Sequence, residues 1–260
     1  SKGEPREAIV AFSMLESGNW ILPVNYGTDI AYKPPFFYWS IATVSSLLGG
    51  VTEYSSRLPS ALAFLAMQLV FFSFIAKRKG VKTAFLASIL LLSSFEVHRA
   101  AVACRVDMVQ VSLIVISLCL LFRWDEKECR GIPWLAILLM GCATLTKGPV
   151  GSIFPCVSIG LYQLLRRRPF WKTFFRLFVI GILSLIPYAA WISAAYVQGG
   201  QSFIDLMLEE NTGRFMGKMS YDSHENPLWY NFLTIIWGWI PWTLVLLISL
   251  FGLKWKNISL

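Results

Sequence analysis

Charged residues are scarce in this 260-residue chain. They make up 15% of it, whereas a soluble globular domain has about 25%. Hydrophobic residues make up 56%, and Trp, Phe and Tyr together make up 15%. This composition excludes a disordered protein, a disulfide-rich secreted scaffold and an ordinary cytosolic enzyme. It is typical of a polytopic α-helical membrane protein.

The sequence also lacks the signatures of several enzyme and metalloprotein classes. It contains no P-loop, GxSxG, GxGxxG or HExxH motif. Its five cysteines are an odd number, and no two have the spacing of metal ligands. The sequence therefore assigns no cofactor and no metal ligand. A divalent metal stays open as an alternative, although no cluster of ligands is visible.

Seven apolar runs approach the length of a membrane span, which is about 17–25 residues. They lie near residues 58–76, 83–98, 107–123, 132–147, 149–165, 176–196 and 229–253. An eighth run, 35–49, would be only about 22 Å long as a helix, against a hydrocarbon core of about 30 Å. It follows a proline and contains four Ser or Thr side chains. We therefore expect it to lie in, or dip into, the outer membrane interface.

Basic residues predict the orientation, because Lys and Arg accumulate in cytoplasmic loops. Alternating spans place four basic clusters on one face, at 77–82, 123–130, 166–176 and 254–256. The opposite face collects the remaining ionisable residues that lie at span ends, and we expect an active site there. The predicted parts are an outer loop 1–57 with interfacial helices, a transmembrane core 58–253 that includes outer loop 197–228, and a cytoplasmic end 254–260.

One candidate site residue, Lys33, lies in the sequence Tyr32-Lys33-Pro34-Pro35, just before four aromatic residues. The two prolines stiffen the backbone and hold Lys33 at headgroup level. The alternative is a snorkelling lysine in an aromatic belt, which is common.

Three further candidates lie at predicted span ends on the outer face. An ionised aspartate such as Asp107 at a membrane helix end costs free energy unless it is exposed or paired. The alternative is that Asp107 only interacts favourably with the helix dipole. Lys147 precedes Gly148 and Pro149 in a tight break that could be a simple turn. Arg57 lies in Arg57-Leu58-Pro59-Ser60 at the outer end of a span.

Segment 4–17 has the pattern of an amphipathic surface helix that ends at Gly18. Its apolar residues include Ile9, Phe12 and Met14, and it begins with Glu4 and Arg6. Glutamate in a first turn commonly interacts with the helix dipole. A second helical stretch is expected at Ser202–Phe215.

Taken in order, these motifs resemble the bacterial integral-membrane glycosyltransferases of the protein-mannosyltransferase and lipid A aminoarabinose-transferase type, which have the GT-C fold. The resemblance covers essentially the whole chain. Its most specific parts are Lys33-Pro34-Pro35 with the following aromatics, and Arg57-Leu58-Pro59-Ser60-Ala61-Leu62. Other matching segments are Arg105-Val106-Asp107, Thr146-Lys147-Gly148-Pro149 and Glu210-Asn211-Thr212-Gly213-Arg214-Phe215.

The resemblance implies an all-α, polytopic helical bundle of the GT-C type, with about seven spans in this chain and interfacial juxtamembrane helices. It implies a bacterial inner-membrane protein whose active site lies on the periplasmic side. Chains of this family are longer, so we expect further sequence before residue 1 and after residue 253.

The resemblance also implies a polyprenyl-phosphate-sugar donor and an acceptor hydroxyl on a lipid A-like lipid, a glycan or a protein. Membrane lipids are expected partners and nucleic acids are not. A lipid phosphate leaves as an anion and needs cations, which suits Lys33, Arg57, Lys147 and Arg214. The acceptor needs one base, which suits Glu4 or Asp107, in a single inverting displacement. Further candidates for substrate binding are Arg6, Tyr32, Glu210 and His224.

The chain departs from the family pattern at two points. Gly3 replaces the first acid of a common Asp-Glu pair, which leaves the base role to Glu4 or Asp107. Asn211 stands where relatives often have His. Two other classes stay open: a transporter, which would carry ionisable residues near the bilayer midplane, and a non-catalytic protein that binds polyprenyl phosphate.

Overall fold

The computed structural model describes residues 4–25, 27, 29–31, 33–209 and 228–252. These residues form eleven α-helices and one small antiparallel hairpin, in which β1 (Val24–Asn25) pairs with β2 (Asp29–Ile30). The helices are α1 (Glu4–Ser17), α2 (Phe36–Leu47), α3 (Glu53–Lys79), α4 (Val81–Leu92), α5 (Phe95–Ala101), α6 (Val106–Glu126), α7 (Trp134–Lys147), α8 (Val150–Leu165), α9 (Phe170–Leu208), α10 (Leu228–Gly238) and α11 (Trp242–Gly252).

Three of the described helices, α3, α6 and α9, are long and apolar enough to cross a membrane, and the number rises to five if each of two bent pairs counts as one span. They coincide with the predicted spans 58–76, 107–123 and 176–196. By length and composition the chain is therefore a multi-pass membrane protein, as predicted. Predicted spans 132–147 and 149–165 are helices α7 and α8, of 14 and 16 residues.

The two remaining predicted spans are bent rather than straight. Predicted span 83–98 consists of α4 and α5, which meet at 75°. Ser94 Oγ donates to Leu90 O at 2.7 Å, and such back-bonding bends helices. Predicted span 229–253 consists of α10 and α11, whose apolar parts meet at 104° around Pro241. Proline removes a helical hydrogen bond there.

Helix α3 owes its position to its two ends. Thr52 caps its first turn: Thr52 Oγ1 accepts from Ser55 N at 3.1 Å, and Ser55 Oγ accepts from Thr52 N at 2.9 Å. Lys77, Arg78 and Lys79 form its last turn, where cations interact favourably with the helix dipole. This capping places Arg57 in the second turn of the helix.

A close helix contact positions the α7–α8 turn. Gly148, with φ of 94°, ends α7 one residue after Lys147. At Gly151, a Cβ atom would lie only 2.5 Å from the backbone carbon of Ala143. Because Gly151 has no side chain, α8 can pack directly against the last turns of α7.

The predicted surface helix 4–17 is confirmed as α1, and Gly18 follows it with φ of 68°. Its buried face differs from the expected one, because Glu7, Val10, Ala11 and Met14 are buried while Phe12 is 47% exposed. Residues at positions i, i+3, i+4 and i+7 share one face of a helix, so the acidic Glu7 belongs to the buried face.

Helices α1 and α2 form a layer over the beginning of α6. Val10, Met14, Phe37 and Ile41 share one apolar core with Cys104, Val106 and Val109. Two indoles fix the connecting segment, because Trp39 Nε1 donates to Trp20 O at 2.7 Å and Trp191 Nε1 donates to Ile21 O at 2.9 Å. Segment 35–49 is therefore a helix packed on the bundle, and its depth in a membrane stays a prediction.

Helix α9 is interrupted near its end. Gly200 has non-helical dihedral angles, with φ of 59° and ψ of −149°. The helix resumes as far as Leu208, which confirms the first part of the helix expected at Ser202–Phe215. Residues 210–215 lie outside the described residues.

Hydrogen bonds and ion pairs between the helices group the helix termini at two ends of the bundle. At the first end, which we call the site end, the beginnings of α3, α6 and α8 lie near the end of α7. At the other end, which we call the basic end, Arg78 of α3 pairs with Glu126 of α6, and Gln163 of α8 bonds Asp125 of α6. Predicted clusters 77–82, 123–130 and 166–176 are thus confirmed to share one end.

Candidate active site

Two lysine–carboxylate pairs lie at the site end, and four separate segments contribute to them. Lys33 Nζ donates to Glu7 Oε1 at 2.5 Å, which joins the approach to α2 with α1. Lys147, the last residue of α7, donates to Asp107 in the first turn of α6. The structure thus brings three residues predicted from sequence, Lys33, Asp107 and Lys147, to one end of the bundle.

The first pair is largely buried. The side chain of Glu7 is 7% exposed and that of Lys33 is 24% exposed. Glu7 Oε2 is buried and has no hydrogen-bond partner among the described residues. A buried carboxylate is costly unless a cation pairs with it, so Lys33 is held in place by the acid it neutralises.

The second pair is half-exposed, with side-chain exposures of 49% for Lys147 and 48% for Asp107. Asp107 lies at a helix N-terminus and Lys147 at a helix C-terminus, so each also interacts favourably with a helix dipole. Exposed ion pairs contribute only about 0–1 kcal/mol. A ligand anion can therefore compete with Asp107 for Lys147 at little cost.

Ser60 joins the beginning of α3 to the beginning of α6. Its Oγ donates to Arg105 O at 3.1 Å and accepts from Arg105 N at 3.3 Å. Arg57 lies one turn before Ser60 and pairs with Glu53 at 2.8 Å. Ser60 therefore sets the distance between Arg57 and the Asp107 turn.

A cleft of about 540 Å³ opens between α1 and the beginning of α3. Its polar lining includes Arg57, Glu53, Thr52 and Ser56, and Pro5, Ile9 and Phe12 contribute from α1. Glu4 precedes Pro5 directly in sequence, so its backbone lies next to the cleft that Arg57 lines. The exposed ring of Phe12 faces this cleft rather than the core.

Two residues at the site end were not among those predicted from sequence. Glu7 could have been found from the helical spacing 7, 10, 11 and 14, but its partner is 26 residues away and carries no local signal. Arg105 is the N-cap residue of α6, and its Nε is buried with no hydrogen-bond partner among the described residues. It also forms no ion pair within that part of the chain.

For six other candidates, the structure describes the side chain of Arg6, only the backbone of Glu4, and none of the remaining four. Arg6 lies half-buried on α1. Glu4 begins α1, but its side chain is not described. Tyr32, Glu210, Arg214 and His224 lie outside the described residues, so their proximity to the pairs stays a prediction. Within residues 4–209 and 228–252, where described, no three His, Cys, Asp or Glu side chains form a group that could hold a metal.

The basic end is arranged differently. Asp125 is 1% exposed, Gln163 Nε2 donates to it at 3.0 Å, and Arg166 and Arg168 lie 3.7 and 3.6 Å away. Arg168 also donates to Glu128 at 2.8 Å, and this hydrogen bond holds the pKa of the Glu128 carboxyl below its usual value. Burial, and then the charge of Asp125, raise the pKa of the Cys129 thiol.

A family model for dolichyl-phosphate-mannose-protein mannosyltransferases matches residues 32–192. The matched range includes three of the four predicted phosphate ligands, Lys33, Arg57 and Lys147. It also includes Asp107, one of the two candidate bases.

Curated bacterial proteins are similar over nearly the whole chain. An undecaprenyl phosphate-α-4-amino-4-deoxy-L-arabinose arabinosyl transferase of Proteus mirabilis is 29% identical over 98% of this chain and 46% of its own. A protein of the same name from Shewanella sediminis is 27% identical over 93% of this chain and 44% of its own. The chain thus spans about half the length of the curated relatives it matches.

A solved structure supports the fold. The crystal structure of ArnT from Cupriavidus metallidurans, bound to undecaprenyl phosphate, matches with a TM-score of 0.78 at 23% identity. The match covers 93% of this chain and 44% of that one. The GT-C-type helical architecture expected from the sequence is therefore confirmed.

Proposed function

This chain belongs to the dolichyl-phosphate-mannose-protein mannosyltransferase family, and we propose that it is a glycosyltransferase that moves a sugar from a polyprenyl-phosphate carrier to an acceptor hydroxyl. The observation that carries the proposal is the convergence of two lysine–carboxylate pairs, Lys33–Glu7 and Lys147–Asp107, at one end of the bundle. Cations that carboxylates already hold in place can bind a phosphate without large rearrangement.

The donor phosphate is the proposed ligand of these cations. Lys33, Lys147 and Arg57, together with Arg214, would neutralise the charge that forms on the phosphate as its bond to the sugar breaks. No general acid is needed, because the leaving group is already an anion. A glycosidase would instead need a second, protonated carboxyl group.

The acceptor hydroxyl requires a base, and Glu4 is the proposed one. The acceptor oxygen attacks the anomeric carbon on the face opposite the phosphate, so a new C–O bond forms while the sugar–phosphate bond breaks with inversion. The hydroxyl proton passes to the carboxylate. Asp107, released when phosphate takes Lys147, is the second candidate for this role.

The names of the relatives suggest the substrates. Several carry undecaprenyl phosphate-aminoarabinose in their names, and the matched Cupriavidus structure holds undecaprenyl phosphate. We therefore propose undecaprenyl phosphate as the carrier and a lipid of the lipid A type as the preferred acceptor. A glycan or a protein hydroxyl would be a different outcome of the same assay.

The proposed location is the bacterial inner membrane, with the site end on the periplasmic side. Residues 1–57 would form the outer loop with its interfacial helices, residues 58–253 the transmembrane core, and residues 254–260 a cytoplasmic end. Helix α1, which flanks the cleft, and helix α2, which packs against α1, would guide the lipid tail toward the cations.

Mass spectrometry of products provides the test. The full-length protein is purified and incubated with an undecaprenyl-phosphate-linked sugar and with lipid A. We expect glycosylated lipid A and free undecaprenyl phosphate as the products. The double variant Lys33→Ala/Lys147→Ala should form no product, whereas Lys77→Ala/Lys172→Ala, which removes two exposed lysines at the basic end, should behave as wild type. Transfer by the first double variant would contradict the proposal.

The alternatives make different predictions in the same assay. The charged residues of the described long helices lie within two turns of their ends, whereas a transporter would place them near the middle of the membrane. A non-catalytic binding protein would retain undecaprenyl phosphate-sugar without turnover. Substitution of Glu4 or Asp107 would then change the binding of undecaprenyl phosphate-sugar only through the loss of a negative charge.

A further inference from the structure

The outer surface of the α8–α9 hairpin carries an apolar groove of about 430 Å³, apart from the candidate active site. It runs from Ser152 and Leu185 to Leu164 and Phe170. Its rim is exposed and apolar: Val157 is 53% exposed, Leu161 58% and Phe178 55%. Of its few polar side chains, Ser152 is hydrogen-bonded to Ser184 at 2.6 Å and Thr173 is buried.

The length of the groove suits an acyl chain that lies along one leaflet. Twelve residues separate Ser152 from Leu164, which is about 18 Å along a helix axis. That length is close to one leaflet of a hydrocarbon core of about 30 Å.

Three consecutive arginines close the groove at the basic end, and two of them are already neutralised. Arg168 pairs with Glu128 at 2.8 Å, and Arg166 lies 3.7 Å from Asp125 and donates to the Tyr162 hydroxyl at 3.3 Å. Arg167 is exposed and forms no ion pair within the part of the chain that the structure describes.

The backbone places Arg167 directly at the end of the groove. Arg167 N donates to Leu164 O at 2.8 Å, and Arg168 N donates to Gln163 O at 3.0 Å. This pair of bonds is a Schellman motif, in which the residue at the position of Arg167 is left-handed and is usually glycine. Arg167 has φ of 58°. Glycine would fit this position without strain, so its substitution for Arg167 removes the side chain and leaves the turn intact.

We propose that this groove and Arg167 form a binding site for an anionic phospholipid, with one acyl chain in the groove and the phosphate on Arg167. A charge-assisted bond from a guanidinium is the usual way in which proteins hold a phosphate. Basic residues at the end of a membrane helix attract anionic lipids for the same reason. The site would bind a structural lipid and does not take part in sugar transfer.

Native mass spectrometry of the purified full-length protein tests this site, with dioleoyl-phosphatidylglycerol as the probe and dioleoyl-phosphatidylcholine as the neutral control. We expect the anionic lipid to bind more tightly than the neutral one. Arg167→Gly should weaken its binding by about tenfold, the size of one hydrogen bond to a charged group. Because glycine suits the left-handed position, the same variant should keep the lipid-free melting temperature of wild type or raise it.

Matched controls separate charge and shape from general damage. Lys172→Ala removes an exposed cation that does not line the groove, and it should leave lipid binding unchanged. Val157→Trp fills the groove and should weaken binding, whereas Ile186→Trp, at a residue of similar exposure outside the groove, should not. Equal affinity for both lipids, or unchanged binding by Arg167→Gly, would overturn the proposal. Unchanged binding by Val157→Trp would also overturn it, because the lipid would then bind outside the groove.

Discussion

The two ends of the helical bundle pair their charges in opposite ways. At the basic end, Arg78 and Arg168 bind Glu126 and Glu128, and the buried Asp125 lies between two arginines. At the site end, two single lysines each meet one carboxylate, in the separate pairs Lys33–Glu7 and Lys147–Asp107. The basic end therefore concentrates arginines around shared acids, whereas the site end holds its two lysines in separate pairs, at the end of the bundle where Arg57 lines an open cleft.

This difference separates structural from chemical roles. Arginine forms planar, bidentate pairs that hold helix ends together, and Glu128 accepts two such bonds from Arg168. Lysine is a compact point charge on a flexible stem, so Lys33 and Lys147 can turn from a carboxylate to a phosphate without losing a fixed geometry. We expect mutations of the paired residues at the site end to reduce turnover, and mutations of the paired residues at the basic end to reduce stability.

Removing the proposed base should have the greatest consequence for turnover. Glu4→Gln should lower kcat by about 10²–10⁴-fold, the usual effect of losing a general base, with the donor Kd nearly unchanged. Steady-state kinetics with purified full-length protein, together with donor binding by fluorescence, measure both quantities. Full turnover in Glu4→Gln together with loss of turnover in Asp107→Asn would reverse the two roles.

Lys33→Ala should lower the transfer rate by about 10²–10³-fold, because it removes one cation from the leaving phosphate. It also leaves Glu7 buried without its partner, so the melting temperature should be measured alongside. Lys33→Ala/Glu7→Gln removes that second problem and should recover stability but not activity. Recovery of activity in the double variant would show that Lys33 serves only as the counterion of Glu7.

Asp125→Ala probes the basic end. Breaking a buried ion pair costs about 3–5 kcal/mol, and Asp125 also accepts a hydrogen bond from Gln163. We expect a lower melting temperature in detergent and an unchanged kcat for the protein that remains folded. A loss of kcat with an unchanged melting temperature would contradict the proposal that the basic end serves stability and the site end serves turnover.

Asp107→Asn should tighten donor binding by about two- to fivefold, because the carboxylate no longer competes for Lys147 and an exposed pair is weak. Its effect on kcat should be smaller than that of Glu4→Gln. Isothermal titration with undecaprenyl phosphate measures the change. Weaker binding would indicate that Asp107 orients Lys147 rather than competing with the donor.

The smallest change is expected at Glu128. Arg168 lowers the pKa of this carboxyl below 4.5, so the pair contributes stability above that pH and loses it as the pH falls through the lowered value. The melting temperature of Glu128→Gln should therefore lie slightly below that of wild type at pH 7, and the two should converge in acid. Melting curves between pH 3 and pH 7 provide the comparison, and a gap that widens in acid would contradict it.

The sequence was sufficient to predict most helices of the described part, because each span needs its own apolar run. Spans 58–76 and 107–123 lie within α3 and α6, and the clustering of Arg78 and Arg168 at one end followed from the alternation of spans. The motifs Lys33-Pro34-Pro35 and Arg57-Leu58-Pro59-Ser60 also identified Lys33 and Arg57 as candidates. Each motif consists of consecutive residues, so it can be recognised without knowing any contact between distant parts of the chain.

Other features depend on contacts between distant residues and could not be predicted in the same way. The bend between α4 and α5 follows from the back-bonded hydroxyl of Ser94, a residue that is compatible with a straight helix as well. The pairing of Glu7 with Lys33 crosses 26 residues, and the apolar face predicted for α1 did not include an acid. The position of Arg105 at the site end could not be predicted, because it depends on the hydrogen bond between Ser60 of α3 and the Arg105 backbone.

A cryo-electron microscopy structure of the full-length protein with undecaprenyl phosphate bound would test the central proposal most directly. We predict that the phosphate lies at the site end, within hydrogen-bond distance of Lys33 or Lys147, and that the lysine it contacts has moved away from its carboxylate. A phosphate bound at the basic end, with Lys33–Glu7 and Lys147–Asp107 both intact, would contradict the proposed function of the two pairs.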